Sequence, residues 1–88
     1  MEKFTKGEWV VERHVGAVYV SSGRGDVIAK KSTEYANKGF VNEVEANAHL
    51  IAAAPEMYEL LSCILERFEP YDEASIEIKK VLAKARGE

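Results

Sequence analysis

Residues 50–61 read LIAAAPEMYELL, and this stretch decides how the second half of the chain folds. Pro55 has no N–H to donate to the carbonyl of Ile51, and a proline inside a helix costs about 3 kcal/mol. Proline is well placed, however, as the first residue of a new helix. We therefore predict one helix over about 42–53 and a second over about 55–68, with a single sharply kinked helix as the alternative.

The ends of the helical half carry further signals. Asn42, with Glu45 three residues later, forms a pattern like a capping box, so the first helix is expected to begin at Asn42. Asp72 is expected to cap a last helix over about 73–86. Cys63 lies among apolar residues of the second predicted helix, and we interpret it as a small buried hydrophobe.

The first third of the chain alternates between strand-forming residues and turn residues. Strands are expected at 8–15, 17–21 and 27–31. Gly16 suits a tight hairpin turn and the sequence SGRGD at 22–26 is a dense turn signal. Residues 32–40 are interpreted as a loop, with a loop that holds one helical turn as the alternative. The fold prediction is therefore α+β: a three-stranded antiparallel β-meander over about 8–31, followed by two or three α-helices packed on one sheet face. Eighty-eight residues predict a single domain, 1–88.

The formal net charge of −3 is spread unevenly, because acidic residues dominate the helical half. Such a half repels phosphates, which makes nucleic acid an unlikely partner and suits a basic protein instead. Four of these acids cluster near the predicted loop before the last helix, and they form the predicted protein-binding site: Glu66, Glu69, Asp72 and Glu73.

Cysteine content and hydropathy indicate a compartment. A single cysteine excludes an internal disulfide and suits a reducing interior. The first residues lack the apolar core of a signal peptide, and no apolar run approaches the roughly 20 residues of a membrane span. We therefore expect a cytoplasmic protein with no membrane partner.

The sequence presents no pattern typical of a catalytic, cofactor or metal site. His14 and His49 are far apart and lack Cys or His neighbours at metal-ligand spacing. We interpret His49 and Glu45, one helical turn apart, as an exposed pair. The carboxylates of the helical half are expected to point away from the apolar stripe, so we expect no enzyme activity, no cofactor and no metal.

Residues 45–57, EANAHLIAAAPEM, resemble a segment "EANARLIAAAPEML" of small proteins of unknown function encoded by tailed bacteriophages and prophages. The resemblance covers roughly residues 9–65, and His49 stands where Arg is common. It implies a phage origin and a bacterial host cell, but no activity. Four residues mark the motif: Asn47, Leu50, Ile51 and Pro55. Asn47 and the small residues 52–54 are interpreted as structural first and as interaction residues second.

We expect a non-enzymatic phage accessory protein that binds a host or phage protein in the bacterial cytoplasm. One alternative is an inhibitor of a host defence or nucleic-acid enzyme, whose acidic helices imitate DNA phosphates. Another is a single-stranded nucleic-acid-binding module with an aromatic and basic sheet face. That face would combine Trp9, Tyr19, Tyr35, Arg13, Lys30 and Lys31. The apolar surface of 57–68 also predicts a homo-oligomer formed through the helical half.

Overall fold

The structure is a computed structural model that describes residues 3–88. Its elements are β1 (Trp9–His14), β2 (Ala17–Ser22), β3 (Val27–Ser32), α1 (Lys38–Leu65) and α2 (Glu73–Ala85). The strands form one antiparallel sheet in the order β1-β2-β3, which confirms the α+β class and the meander. The chain divides into a sheet unit, residues 6–55, and a helical unit, residues 56–88 with residues 3–5. The single domain and the packing of all helices on one sheet face stay predictions.

Local turn chemistry joins the three strands as predicted. Gly16, in the two-residue link between β1 and β2, has a φ of +83°. In the next turn the Ser22 hydroxyl oxygen accepts hydrogen bonds from the backbone N–H of Arg24 at 3.3 Å and of Asp26 at 3.2 Å. The side chains of Arg24 and Asp26 form an exposed ion pair at 3.0 Å. The Arg-Gly-Asp triplet therefore has a structural role, which is to form the turn between β2 and β3.

The core of the sheet unit joins β2 to the N-terminal half of α1. Val18 and Val20, two residues apart on one strand face, form a buried cluster with Val44 and Ala48, one helical turn apart. Trp9 on β1 packs against this cluster.

The predicted start of the first helix is wrong. α1 begins at Lys38, inside the predicted loop, and Asn37 rather than Asn42 caps it, since the Asn37 side-chain oxygen accepts the Phe40 N–H at 2.9 Å. Gly39 does not prevent this early start, because a glycine in a helix costs only about 1 kcal/mol, which the following turns of α1 offset.

Substitution of the two asparagines distinguishes these caps. We expect Asn37→Ala to lower the free energy of unfolding by about 1 kcal/mol, because the Phe40 N–H loses its acceptor. Asn42→Ala, at an exposed position inside α1, serves as the control and should change it by less than about 0.5 kcal/mol. Urea unfolding followed by circular dichroism measures both, and a larger loss for Asn42→Ala would contradict the assignment.

The predicted break at Pro55 is also wrong, because α1 continues through this residue to Leu65. The proline removes one hydrogen bond, and its cost of about 3 kcal/mol is confined to one turn. Strong helix formers flank it, Ala52 to Ala54 before and Met57 to Leu61 after. Pro55 itself is buried. Two helices therefore follow the sheet, and the first ends at Leu65 rather than near residue 68.

Both ends of α2 are fixed by local hydrogen bonds. Asp72 occupies the N-cap position as predicted, but its side chain makes no cap hydrogen bond and instead accepts the Glu69 N–H at 3.1 Å. At the other end Gly87 has a φ of +83°, and the Glu88 N–H donates to the carbonyl of Ala83 at 2.9 Å. This is a Schellman termination.

The surface of α1 differs from expectation in two respects. Cys63 is exposed, so its interpretation as a buried residue is wrong. In addition, α1 is long and apolar enough to cross a membrane by length and composition. This is weak evidence, because core helices of soluble proteins satisfy the same criterion. The expectation of no membrane partner stays a prediction.

Candidate functional site

An open groove in the sheet unit lies between β3 and the N-terminal half of α1. Its volume is about 380 Å³, within the range of small binding sites. The lining comprises Val18, Val20, Ala29, Lys30, Lys31, Phe40, Glu43, Val44, Asn47, Ala48 and Ile51. Most of these side chains are apolar, so water in the groove has few hydrogen-bonding partners and an apolar ligand group would be favoured there.

The groove lies on the β3 side of α1, whereas on the β1 side an ion pair and packed residues join the helix to the sheet. Arg13 on β1 forms an ion pair with Glu45 on α1 at 2.9 Å between Nε and Oε1. On the β3 side the cross-strand pairs Val18–Lys31 and Val20–Ala29 place Ala29 and Lys31 on the sheet face that carries the core cluster. α1 therefore covers β2, and the space beside β3 remains open.

The rim of the groove combines aromatic, aliphatic and charged groups. The Lys31 ammonium nitrogen lies 5.8 Å from the centroid of the Phe40 ring, a cation–π contact. Further along α1, Glu43, Asn47 and Ile51 recur every four residues and form the opposite edge. The rim therefore offers an apolar surface with both charge signs beside it.

The structure places two of the four motif residues in this groove. Asn47 and Ile51 line it, whereas Leu50 and Pro55 do not. Leu50 is 63% exposed and Ile51 38% exposed, so these adjacent residues are both accessible but only one belongs to the groove.

The predicted acidic site lies elsewhere, in the helical unit. Glu66 and Glu69 follow α1, Asp72 precedes α2, and Glu73 begins it. Three of these side chains are exposed, while Asp72 is half-buried and holds the Glu69 N–H. Their role in binding stays a prediction. The same unit exposes Met57, Leu60 and Phe68, the surface on which we expect self-association.

The aromatic and basic sheet face of the nucleic-acid hypothesis does not form as one surface. Lys30 lies over the Tyr19 ring at 5.5 Å, on the face opposite the core cluster. Trp9 packs against the cluster and Lys31 lies beside Phe40, both on the other face. The residues are thus divided between two faces, which weakens the case for base stacking.

A polar cluster in the helical unit fixes the C-terminal residues. Arg86 donates hydrogen bonds to the Tyr58 hydroxyl at 3.1 Å and to the Glu88 carboxylate at 2.9 Å, and Phe4 packs edge-on against Tyr58. The Glu88 hydrogen bond, followed by that of Tyr58, raises the pKa of Arg86, and the Arg86 hydrogen bond lowers the pKa of Glu88. Each charge has a partner, so this cluster has a structural role.

Sequence reasoning missed much of the groove lining, above all Phe40, Glu43 and Lys31. Phe40 was assigned to a loop because the helix was expected to begin later. Once the helix begins at Lys38, one of its faces carries all five of these groove residues: Phe40, Val44, Asn47, Ala48 and Ile51. This helical periodicity is the signal that would have found them.

No group of three or more His, Cys, Asp or Glu side chains within residues 3–88 is placed to hold a metal ion. The expected absence of a metal, a cofactor and enzyme activity stays a prediction.

Comparison with known proteins gives an origin. The model of one protein family, described as Salmonella phage P22 protein Y8K6, matches residues 1–88. No curated protein and no solved structure matches the chain. The family match supports the predicted phage origin and does not test the 45–57 motif.

Proposed function

Because the chain belongs to the family of Salmonella phage P22 protein Y8K6, we propose that it is a non-enzymatic phage accessory protein that binds another protein through the groove of the sheet unit. The partner is a host or phage protein in the cytoplasm of the bacterial cell. One observation carries the proposal: a groove of about 380 Å³ whose floor is apolar and whose rim includes the exposed residues Phe40 and Ile51. Apolar grooves with a polar rim are the usual form of protein-binding sites.

Two neighbouring residues of α1 provide a matched test. Immobilised full-length protein is used to retain proteins from a lysate of infected bacteria, in parallel with the variants Ile51→Lys and Leu50→Lys. We expect Ile51→Lys to weaken retention of a specific partner about tenfold or more, because an ammonium group at the rim is poorly solvated by an apolar ligand. Leu50→Lys changes a neighbouring residue that is more exposed and lies outside the groove, so this variant should retain the partner like the unaltered protein.

The acidic-inhibitor hypothesis makes the opposite prediction. It requires that Glu66→Gln, Glu69→Gln and Glu73→Gln, combined in one chain, abolish binding; Asp72 is left unchanged because it holds the Glu69 N–H. Loss of the partner with this triple variant, or equal retention by Ile51→Lys and Leu50→Lys, would contradict a role for the groove. Failure to retain any specific protein would contradict the proposed function as a whole.

A further inference from the structure

The free edge of β3 borders the groove. β3 is the last strand of the sheet and pairs only with β2 within the described part of the chain. The Thr33 N–H donates to the Gly16 carbonyl at 2.8 Å, and hydrogen-bonded pairs alternate along an antiparallel ladder. In this register Ala29 and Lys31 direct their backbone groups toward β2. The N–H and C=O groups of Lys30 and Ser32, which alternate with those of Lys31 and Thr33, therefore point away from the sheet, where they can pair with another strand.

The space beside this edge suits an extended chain. An added strand lies about 4.8 Å from β3, and every second side chain then projects toward α1. Those side chains would enter the groove between Ala29 of β3 and the face of α1 that carries Asn47, Ala48 and Ile51. Backbone hydrogen bonds to the edge and alternate side chains in an apolar groove are the two parts of strand-addition recognition.

The charge of β3 indicates which chain can pair with its free edge, a second copy of this protein or a segment of a different one. Lys30 and Lys31 carry two adjacent positive charges, and neither forms an ion pair with a carboxylate of residues 3–88. Antiparallel pairing of two copies through β3 would bring four lysines together, and like charges on opposing strands are unfavourable. An acidic strand would instead be attracted. Glu43 lies across the groove from β3. The ligand must therefore keep its carboxylates away from Glu43 or place a basic group beside it.

We propose that the groove receives an extended peptide segment of a partner protein, which pairs with the outer edge of β3 as a fourth strand. Alternate small or aliphatic side chains of the segment fill the groove, and a carboxylate of the segment lies beside Lys30 or Lys31. This inference deepens the proposed function and rests on it.

A library of random dodecapeptides displayed on an unrelated carrier, selected against the full-length protein, provides the probe. We expect enriched peptides in which aliphatic residues alternate with polar ones and at least one Asp or Glu is included. A synthetic peptide of the enriched sequence is then titrated against the variants. Ile51→Lys should weaken binding roughly tenfold and Leu50→Lys should not.

Proline at position 30 tests the backbone pairing. Lys30→Pro removes an N–H that points away from β2, a position at which an edge strand tolerates proline. Lys30→Ala is the control, because it removes the same charge and keeps the N–H. We expect the proline variant to bind the peptide roughly tenfold more weakly than the alanine variant.

Amide hydrogen exchange of the unaltered protein gives the same information without a substitution. Saturation with the peptide should slow exchange at the amides of Lys30 and Ser32. Unchanged exchange at both amides, or equal affinities of the proline and alanine variants, would overturn strand addition. An absence of enriched peptides would overturn it as well. A partner retained from lysate in a manner that depends on Ile51 would still support the proposed function, so the two failures are distinguishable.

Discussion

Replacement of Val20 by aspartate should unfold the sheet unit. Val20 is 2% exposed at the centre of the sheet, within the cluster that also contains Val18, Val44 and Ala48. The new carboxylate would be surrounded by these apolar side chains, and the two basic residues that share this sheet face are already engaged, Arg13 with Glu45 and Lys31 with the Phe40 ring. An uncompensated buried charge costs about 3–5 kcal/mol, which is most of the stability of a small domain.

The single tryptophan reports this change directly. Trp9 packs against the Val20 cluster, so its fluorescence maximum should shift toward that of a solvent-exposed indole in Val20→Asp. Val27→Asp is the control, because Val27 is on β3 and is 57% exposed. The control should change the free energy of unfolding by less than about 0.5 kcal/mol. A folded Val20→Asp with unshifted fluorescence would show that this cluster is not the core.

In the helical unit, the largest loss is expected from Leu82→Ala. Leu82 is a buried residue of α2, and truncation of a buried leucine costs about 2–5 kcal/mol through lost burial and the cavity left behind. The adjacent Val81 is 52% exposed, and Val81→Ala should be neutral or slightly stabilising because alanine is the better helix former.

Urea unfolding followed by far-ultraviolet circular dichroism compares the two α2 variants. The midpoint for Leu82→Ala should fall well below that of the unaltered protein, while the midpoint for Val81→Ala should stay the same or rise. Equal midpoints for the two variants would mean that Leu82 does not lie in a packed core.

The sheet could be predicted from the sequence because its signals are local. Gly16 and the Ser22 to Asp26 turn fix the two hairpins through backbone conformation and short hydrogen bonds, which depend only on neighbouring residues. The alternation of Val18 and Val20 then identifies the buried face without knowledge of what covers it.

The boundaries of α1 could not be predicted in the same way, because each depends on a competition between small energies. Asn37 and Asn42 are both suitable caps, and Gly39 between them argues for a turn by only about 1 kcal/mol. At Pro55 a local penalty of about 3 kcal/mol was expected to end the helix. The helix continues because its turns on both sides retain their own hydrogen bonds.

The groove could not be predicted from the sequence for a further reason. It depends on the long-range position of α1 over β2. The Arg13–Glu45 ion pair and the packing of Val44 and Ala48 against Val18 and Val20 define this position between residues far apart in sequence. The motif contains Asn47, Leu50 and Ile51 without any sequence signal that separates the two residues that line the groove from Leu50, which does not line it. Their role in an interaction stays a prediction.

The most direct test of the proposed binding surface is hydrogen exchange across the whole chain, measured with and without the partner retained from lysate. We predict that binding slows exchange in residues 27–32 and 40–51, the two segments on either side of the groove. Residues 66–73, which hold the acidic cluster, should exchange at the same rate in both samples. Slower exchange confined to the helical unit, with residues 27–32 unchanged, would contradict the account.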